Sequence, residues 1–230
     1  MQADGSITEL ALLDGVLSAH LRCPAGLIPA PGQYLLAHAA GSDAPLATAI
    51  FAAHTYADEL VIAPPIPAQW MPGTRLHLRG PLGHGFDLPV SARRIALIPF
   101  ESSPRTLLGL LQPSEKQDGA VTLVAENTPD DLPLQVEVQP LHALLEVCRW
   151  ADFVALDASR ESLPKLKELF QAARYTMKAE AQVLVRTPMP CGALAACGVC
   201  TVEIAGHTQL ACEDGPVFDF NQLMGWFSKA

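Results

Sequence analysis

Four cysteines fall within the last forty residues, Cys191, Cys197, Cys200 and Cys212, in the spacing C-x5-C-x2-C-x11-C. Six cysteines in 230 residues are too few for a disulfide scaffold, and four gathered at one end suggest a metal site. The run reads Met189-Pro190-Cys191-Gly192-Ala193-Leu194-Ala195-Ala196-Cys197-Gly198-Val199-Cys200, in which Gly192, Ala193, Ala195, Ala196 and Gly198 keep the loop nearly free of bulk. A backbone so bare can come close to a cluster and aim N–H groups at its sulfurs.

Two metal chemistries accept four thiolates. Plant-type 2Fe-2S modules use C-x4-C-x2-C and a distant fourth cysteine, because one loop wraps the cluster and the last thiolate reaches it from elsewhere. This chain has one more residue in the first gap. Tetrahedral zinc draws its thiolates as two C-x2-C-type pairs, and only Cys197 and Cys200 are so spaced. The spacing favours a 2Fe-2S cluster on Cys191, Cys197, Cys200 and Cys212, with zinc or an emptied site as the alternative. Cys23 and Cys148 stand alone in apolar surroundings and read as small core residues.

The elements that must position these thiols fall into three stretches. Residues 1–91 alternate short β-type runs (7–12, 16–22, 34–38, 48–52, 60–63 and 75–78) with turn residues such as Pro31-Gly32 and Pro72-Gly73. That rhythm predicts a small antiparallel Greek-key barrel. Residues 92–187 change to strands at 94–100, 121–126, 135–138, 153–157 and 181–186, with helices at 105–112, 141–150 and 163–173. Ser103-Pro104 is a cap followed by proline at the first helical position. This alternation predicts a Rossmann-like α/β domain with a parallel sheet. Residues 188–230 read as an appended cluster module, neither regular strand nor regular helix until an amphipathic helix at 220–228.

The cysteine run, with Ala211-Cys212-Glu213-Asp214-Gly215-Pro216-Val217-Phe218-Asp219, resembles the electron-transfer subunit of NAD-linked (B-type) dihydroorotate dehydrogenase. Pro31-Gly32-Gln33-Tyr34 and Gly80-Pro81-Leu82-Gly83-His84-Gly85-Phe86 are similar to the same family, in the same order. The resemblance implies a ferredoxin-reductase-like architecture: a flavin barrel, a nicotinamide domain, then the cluster. It also implies a larger flavoprotein partner in a hetero-oligomer, and a place in pyrimidine biosynthesis. In that family electrons pass from the partner's flavin through the cluster to FAD and on to NAD. A flavin must stand between them because a hydride carries two electrons and a cluster accepts one.

The nucleotide-binding elements of that family are replaced here. Its R-P-x-S stretch, whose Arg faces the FAD phosphates, corresponds to Leu46-Ala47-Thr48-Ala49. Its glycine turn at the diphosphate corresponds to Ala63-Pro64-Pro65-Ile66-Pro67, and proline has no N–H to offer. After the first strand of the nicotinamide domain stands Pro99-Phe100-Glu101-Ser102-Ser103-Pro104, which adds bulk and negative charge where a phosphate would approach. Leu156-Asp157-Ala158-Ser159 takes the place of a Cys-Gly-Pro element. The expectation is a one-electron relay subunit that has lost nucleotide binding, and with it independent flavin and NAD chemistry, and has no turnover of its own. The alternatives are a reductase subunit that keeps FAD, on the strength of the intact Gly80 to Phe86 turn, and a non-redox subunit with a zinc or empty cysteine site.

Other chemistries find little support. Seven scattered histidines show no zinc-hydrolase spacing, His84 reads as a polar turn residue, and there is no nucleophile elbow. No catalytic residue is assigned. A net charge of -9 leaves no basic stripe for a nucleic acid, and charges, Pro and Gly break every apolar run short of the roughly 18 residues that cross a bilayer. The first residues lack a basic region followed by an apolar stretch, so a cytoplasmic protein is expected. The aromatic stretch 218–227 is expected to dock onto the protein's own core, with an exposed partner anchor as the alternative.

Overall fold

The computed structural model describes residues 1–225. Strands β1 (Gln2–Leu13), β2 (Val16–Arg22), β3 (Tyr34–Ala39), β4 (Thr48–Thr55), β5 (Glu59–Ile62) and β6 (Arg75–Leu82) close a six-stranded antiparallel barrel in the order β1-β2-β5-β4-β3-β6. Alternation of buried and exposed positions fills it with Ile7, Leu21, Leu35, Ile50, Ile62, Leu76 and Leu78, around a fully enclosed Trp70. The β1–β2 hairpin turns on Asp14 and Gly15, both left-handed at φ 53° and 76°, the pair of conformations that a two-residue turn matched to strand twist demands.

Strands β7 (Arg94–Phe100), β8 (Ala120–Val124), β9 (Glu137–Gln139), β10 (Phe153–Ser159) and β11 (Glu180–Arg186) form a parallel sheet, and β14 (Val217–Asp219) is added antiparallel to β11. The strand order is β14-β11-β10-β7-β8-β9. Residues Ile95 to Phe100 and Phe153 to Ala158 are buried without interruption, the pattern of strands covered on both faces. Helix α2 (Leu144–Trp150) buries Leu144, Val147 and Cys148. Helix α3 (Leu163–Ala172) buries Leu163, Leu166 and Phe170, one stripe at helical spacing.

Two sequence expectations need correction. The helix expected at 105–112 is two 3-10 turns, Pro104–Thr106 and Leu108–Leu110, followed by α1 (Leu111–Lys116). Ser103 does cap the start, its hydroxyl accepting from the Arg105 N–H. Gly109 then lies against Pro31 of the barrel, and Pro113 removes an N–H from the ladder, so no regular helix runs through. The segment after residue 187 is more regular than expected: β12 (Thr201–Ile204) and β13 (His207–Leu210) pair as a hairpin, and β14 joins the large sheet. Helix α4 (Phe220–Leu223) follows under an Asp219 cap, and the rest of the expected 220–228 helix, with Trp226 and Phe227, lies outside the described residues. Phe218 and Phe220 are buried, so the described part of the aromatic stretch docks onto the core.

No helix among the described residues is long and apolar enough to cross a membrane.

Candidate metal centre

Cys200 immediately precedes β12 and Cys212 follows β13 by one residue, so the hairpin itself accounts for the eleven-residue gap. Its ladder continues beyond Thr201↔Leu210, with the Ala211 N–H donating to the Cys200 carbonyl at 3.0 Å. The two thiols are thereby side by side. Cys191 and Cys197 meet in the same way across the loop. The C-x2-C pair read from spacing, Cys197 with Cys200, is therefore not the pairing in space. Cys191 and Cys200 both lie within electrostatic reach of Tyr34 and Cys212, which sets the Cys191 end of the loop beside the inner pair. Among the described residues no three His, Cys, Asp or Glu side chains are grouped as one metal ion requires.

The loop has an unusual backbone. Gly192, Ala193, Ala195 and Gly198 are all left-handed, at φ 65°, 57°, 55° and 67°. For the two alanines this costs roughly 1–2 kcal/mol each. What the cost secures is a nest, in which successive N–H groups converge on one side and favour an anion. The N–H groups of Ala196, Leu194 and Cys197 face the Cys191 sulfur, that of Ala195 faces Cys212, and that of Val199 donates to Cys197 Sγ at 3.5 Å. Donation from Ala196 above all holds the Cys191 thiol down to about 6, whereas burial pushes Cys212 up to about 11.

The pairs differ in exposure. Cys200 and Cys212 are 1% and 6% exposed, Cys191 is half-buried, and Cys197 is exposed at the tip of an uncharged stretch, 194–199, that lies wholly at the surface. Behind the inner pair stands the buried Tyr34, whose hydroxyl donates to the Cys212 carbonyl at 3.4 Å. Burial, reinforced by the neighbouring thiols, pushes this phenol well above its usual range. Two arginines hold the loop from outside. Arg79 on β6 donates to the Gly192 carbonyl at 3.0 Å, and Arg160, just after β10, donates to the carbonyls of Val199 and, at 3.5 Å, Thr201. Sequence reasoning missed both, since nothing in their neighbourhoods marks them. Cys23 and Cys148 are buried in the two main cores, where burial pushes their thiols up to about 11 and about 12.

The Gly80 to Phe86 turn packs on the chain's own C-terminal segment. The His84 N–H donates to the Gly215 carbonyl at 2.6 Å, and a Cβ on Gly83 would come within 2.7 Å of that same oxygen. The His84 side chain is exposed.

On the barrel face that carries Leu46-Ala47-Thr48-Ala49, Thr48 begins β4 and Phe51 lies against Tyr34 with ring centroids 5.8 Å apart. The Arg105 guanidinium, 1% exposed, is spent on Asp14 and Asp131. At the carboxyl ends of the parallel strands, where open α/β sheets take nucleotides, Phe100 is buried and Glu101 pairs with Lys165. Beside them the wholly buried Asp157 accepts from Thr106 and, at 2.7 Å, from Arg186 Nε.

Residues 187–224 match the family described as the iron-sulfur cluster binding domain of dihydroorotate dehydrogenase B. No curated protein matches the chain. Among solved structures, the NADH-dependent reduced ferredoxin-NADP oxidoreductase described for flavin-based electron bifurcation is 15% identical at a TM-score of 0.74, over 96% of this chain and 89% of that one. The ferredoxin reductase in carbazole 1,9a-dioxygenase is 16% identical at a TM-score of 0.61, over 81% and 69%. A ferredoxin NADP+ reductase from Neisseria gonorrhoeae, solved with FAD and NADP, is 13% identical at a TM-score of 0.57, over 80% and 98%. Identities this low speak for the fold. The chain thus has the ferredoxin-reductase-like fold and, over residues 187–224, matches the iron–sulfur cluster binding domain of dihydroorotate dehydrogenase B.

Proposed function

We propose that the chain is a one-electron relay subunit that binds a 2Fe-2S cluster through Cys191, Cys197, Cys200 and Cys212 and carries out no flavin or nicotinamide chemistry of its own. The observation that carries this reading is the meeting of the thiols two by two, under five N–H groups turned toward sulfur. Two irons bridged by sulfide need two thiolates each, whereas one zinc needs four around a single point. The first pair belongs to the loop and the second to the hairpin, so the extra residue in the first gap is absorbed where the backbone is free to fold back. When bound, such a cluster supplies reversible transfer of a single electron.

The protein's own residues set the conditions for that exchange. The N–H groups on Cys191, Cys197 and Cys212 stabilise negative charge on sulfur and so favour the reduced state. Tyr34 and the surrounding core keep water from Cys200 and Cys212. The exposed, uncharged stretch 194–199 is the side from which a redox partner reaches the site, a dihydroorotate-dehydrogenase-like flavoprotein in a hetero-oligomer by the family match.

The residues present do not fit FAD or NAD. Pro64, Pro65 and Pro67 offer no N–H to a diphosphate, and the buried Arg105 is saturated by two aspartates. Phe100 and the Asp157 network are buried at the nucleotide end of the sheet, and the exposed Glu101–Lys165 pair lies at its rim. The turn from Gly80 to Phe86, which kept an FAD-bearing subunit open as an alternative, is accounted for by its packing on Gly215.

Iron, acid-labile sulfide, zinc and flavin measured on one anaerobic preparation test the reading. Two irons and two sulfides per chain, with a reduced-state EPR signal and no flavin, are expected. One zinc and no sulfide would sink the cluster assignment, and stoichiometric flavin would sink the loss of nucleotide binding.

A further inference from the structure

The cluster loop is gripped near both ends by cations from different halves of the molecule. Arg79 belongs to the barrel strand β6 and takes the Gly192 carbonyl at 3.0 Å; Arg160 belongs to the α/β half and takes the carbonyls of Val199 and Thr201. All five N–H groups that face sulfur, those of Leu194, Ala195, Ala196, Cys197 and Val199, lie between these two grips. A trans peptide is planar, so holding the carbonyls of Gly192 and Val199 fixes the Gly192–Ala193 and Val199–Cys200 peptide planes and anchors both ends of the stretch whose N–H groups face sulfur. Without such holds, a loop with four left-handed residues, two of them alanine, would relax toward commoner backbone conformations and turn its donors away.

We infer that Arg79 and Arg160 are positioning residues for the metal centre, clamping the loop so that its N–H groups face the sulfurs and placing two positive charges beside a group that gains negative charge on reduction. This rests on the cluster reading above. Neither arginine is spent on a carboxylate at the loop. Arg79 has no acidic partner among the ion pairs of the described residues, and Arg160 has a loose one, Glu161 at 3.5 Å.

The test uses the full chain, loaded anaerobically, as wild type, Arg79→Gln, Arg160→Gln, Arg79→Lys, Arg160→Lys and the control Arg75→Gln. Arg75 lies on the same strand as Arg79 but is exposed and pairs with Asp4 at 2.8 Å, away from the loop carbonyls. Midpoint potentials are read by dye-mediated titration with EPR, and cluster retention by the rate of iron release to a chelator. Each Gln variant should lower the reduced-to-oxidised ratio at a fixed potential about tenfold, about 59 mV for one electron, and release iron about tenfold faster. The Lys variants should recover the potential, since the charge remains, and only part of the retention. Arg75→Gln should behave as wild type. Both Gln variants indistinguishable from wild type would overturn the clamp and leave the cluster reading standing; a wild type without iron and sulfide would overturn both. Should a Gln variant fail to fold, the Lys pair decides: iron release as slow as wild type in both overturns the clamp.

Discussion

Arg105 of the α/β half holds Asp14, at the tip of the barrel's first hairpin, through two parallel bonds: Nε to Oδ2 at 2.8 Å and Nη2 to Oδ1 at 2.5 Å. Its third nitrogen reaches Asp131 Oδ1 at 2.5 Å, so a single buried guanidinium ties the two halves together. The guanidinium is 1% exposed while the aspartates are 29% and 48% exposed, and that asymmetry makes the two sides of the contact unequal. Arg105→Met frees two carboxylates that water can still reach, and should cost about 1–2 kcal/mol. Asp14→Asn with Asp131→Asn strands a buried cation and should cost about 3–5 kcal/mol, although asparagine suits the left-handed turn at position 14. Chemical denaturation of both variants checks the order; equal losses would show that the difference in exposure does not set the cost, and a larger loss in Arg105→Met would place it on the carboxylates.

Any of Cys191→Ser, Cys197→Ser, Cys200→Ser and Cys212→Ser should lose iron and sulfide together, while Cys23→Ala and Cys148→Ala keep both. The two groups should separate again in the metal-free protein. Cys197 is exposed, so its replacement leaves the melting temperature of the apo chain near wild type. Cys148 is buried against the sheet, and deleting its sulfur should cost about 1 kcal/mol. Iron retained in Cys197→Ser at the wild-type ratio would show that this residue is not a ligand.

Added FAD or NADH should leave the melting temperature unchanged. A ligand at one hundred times its Kd adds about 2.7 kcal/mol to the folded state, which for a chain of this size is a rise of about 5–11 °C. Differential scanning fluorimetry resolves such a shift easily. A rise of that size with FAD would mean that some other group supplies the diphosphate contacts absent from Leu46-Ala47-Thr48-Ala49 and from Pro64-Pro65.

The strands of both halves were legible because their periodicity is local. Residues 16–22 and 94–100 are strands over the limits read from the sequence, and the continuous burial of β10 follows from its apolar run. Legibility failed where distant residues decide the outcome. The spacing rule picks Cys197 with Cys200, but the hairpin 201–210 brings Cys200 to Cys212 and leaves Cys197 for Cys191. Alanines at 193 and 195 gave no sign of a left-handed backbone, since alanine ordinarily avoids it. Arg79 and Arg160 stand 113 and 39 residues from the carbonyls they hold, a relation no local pattern encodes.

Asp157 ends as the most deeply buried carboxylate of the chain, held by Arg186 and Thr106 at the carboxyl edge of β10. Burial dominates and pushes its pKa above 3.8, with the Arg186 charge pulling the other way. The sign of the pH effect follows. The folded state holds the proton more tightly than the unfolded chain does, so this group's contribution to stability is largest in acid and falls as pH climbs from 3.8 through the raised folded value. Arg186→Gln removes, among the described residues, the cation that faces this buried carboxyl group. At pH 7 it should cost about 3 kcal/mol, or about 6–12 °C in melting temperature. The cost should shrink as pH falls toward 4, because a protonated Asp157 needs no cation. Adding Asp157→Asn to Arg186→Gln should recover much of the loss at pH 7, since no charge then remains to be compensated. Melting curves of wild type, the single variant and the double variant across pH 4 to 8 decide the point: a wild-type-to-Arg186→Gln gap that stays constant with pH would show that Asp157 does not titrate against Arg186 in that range.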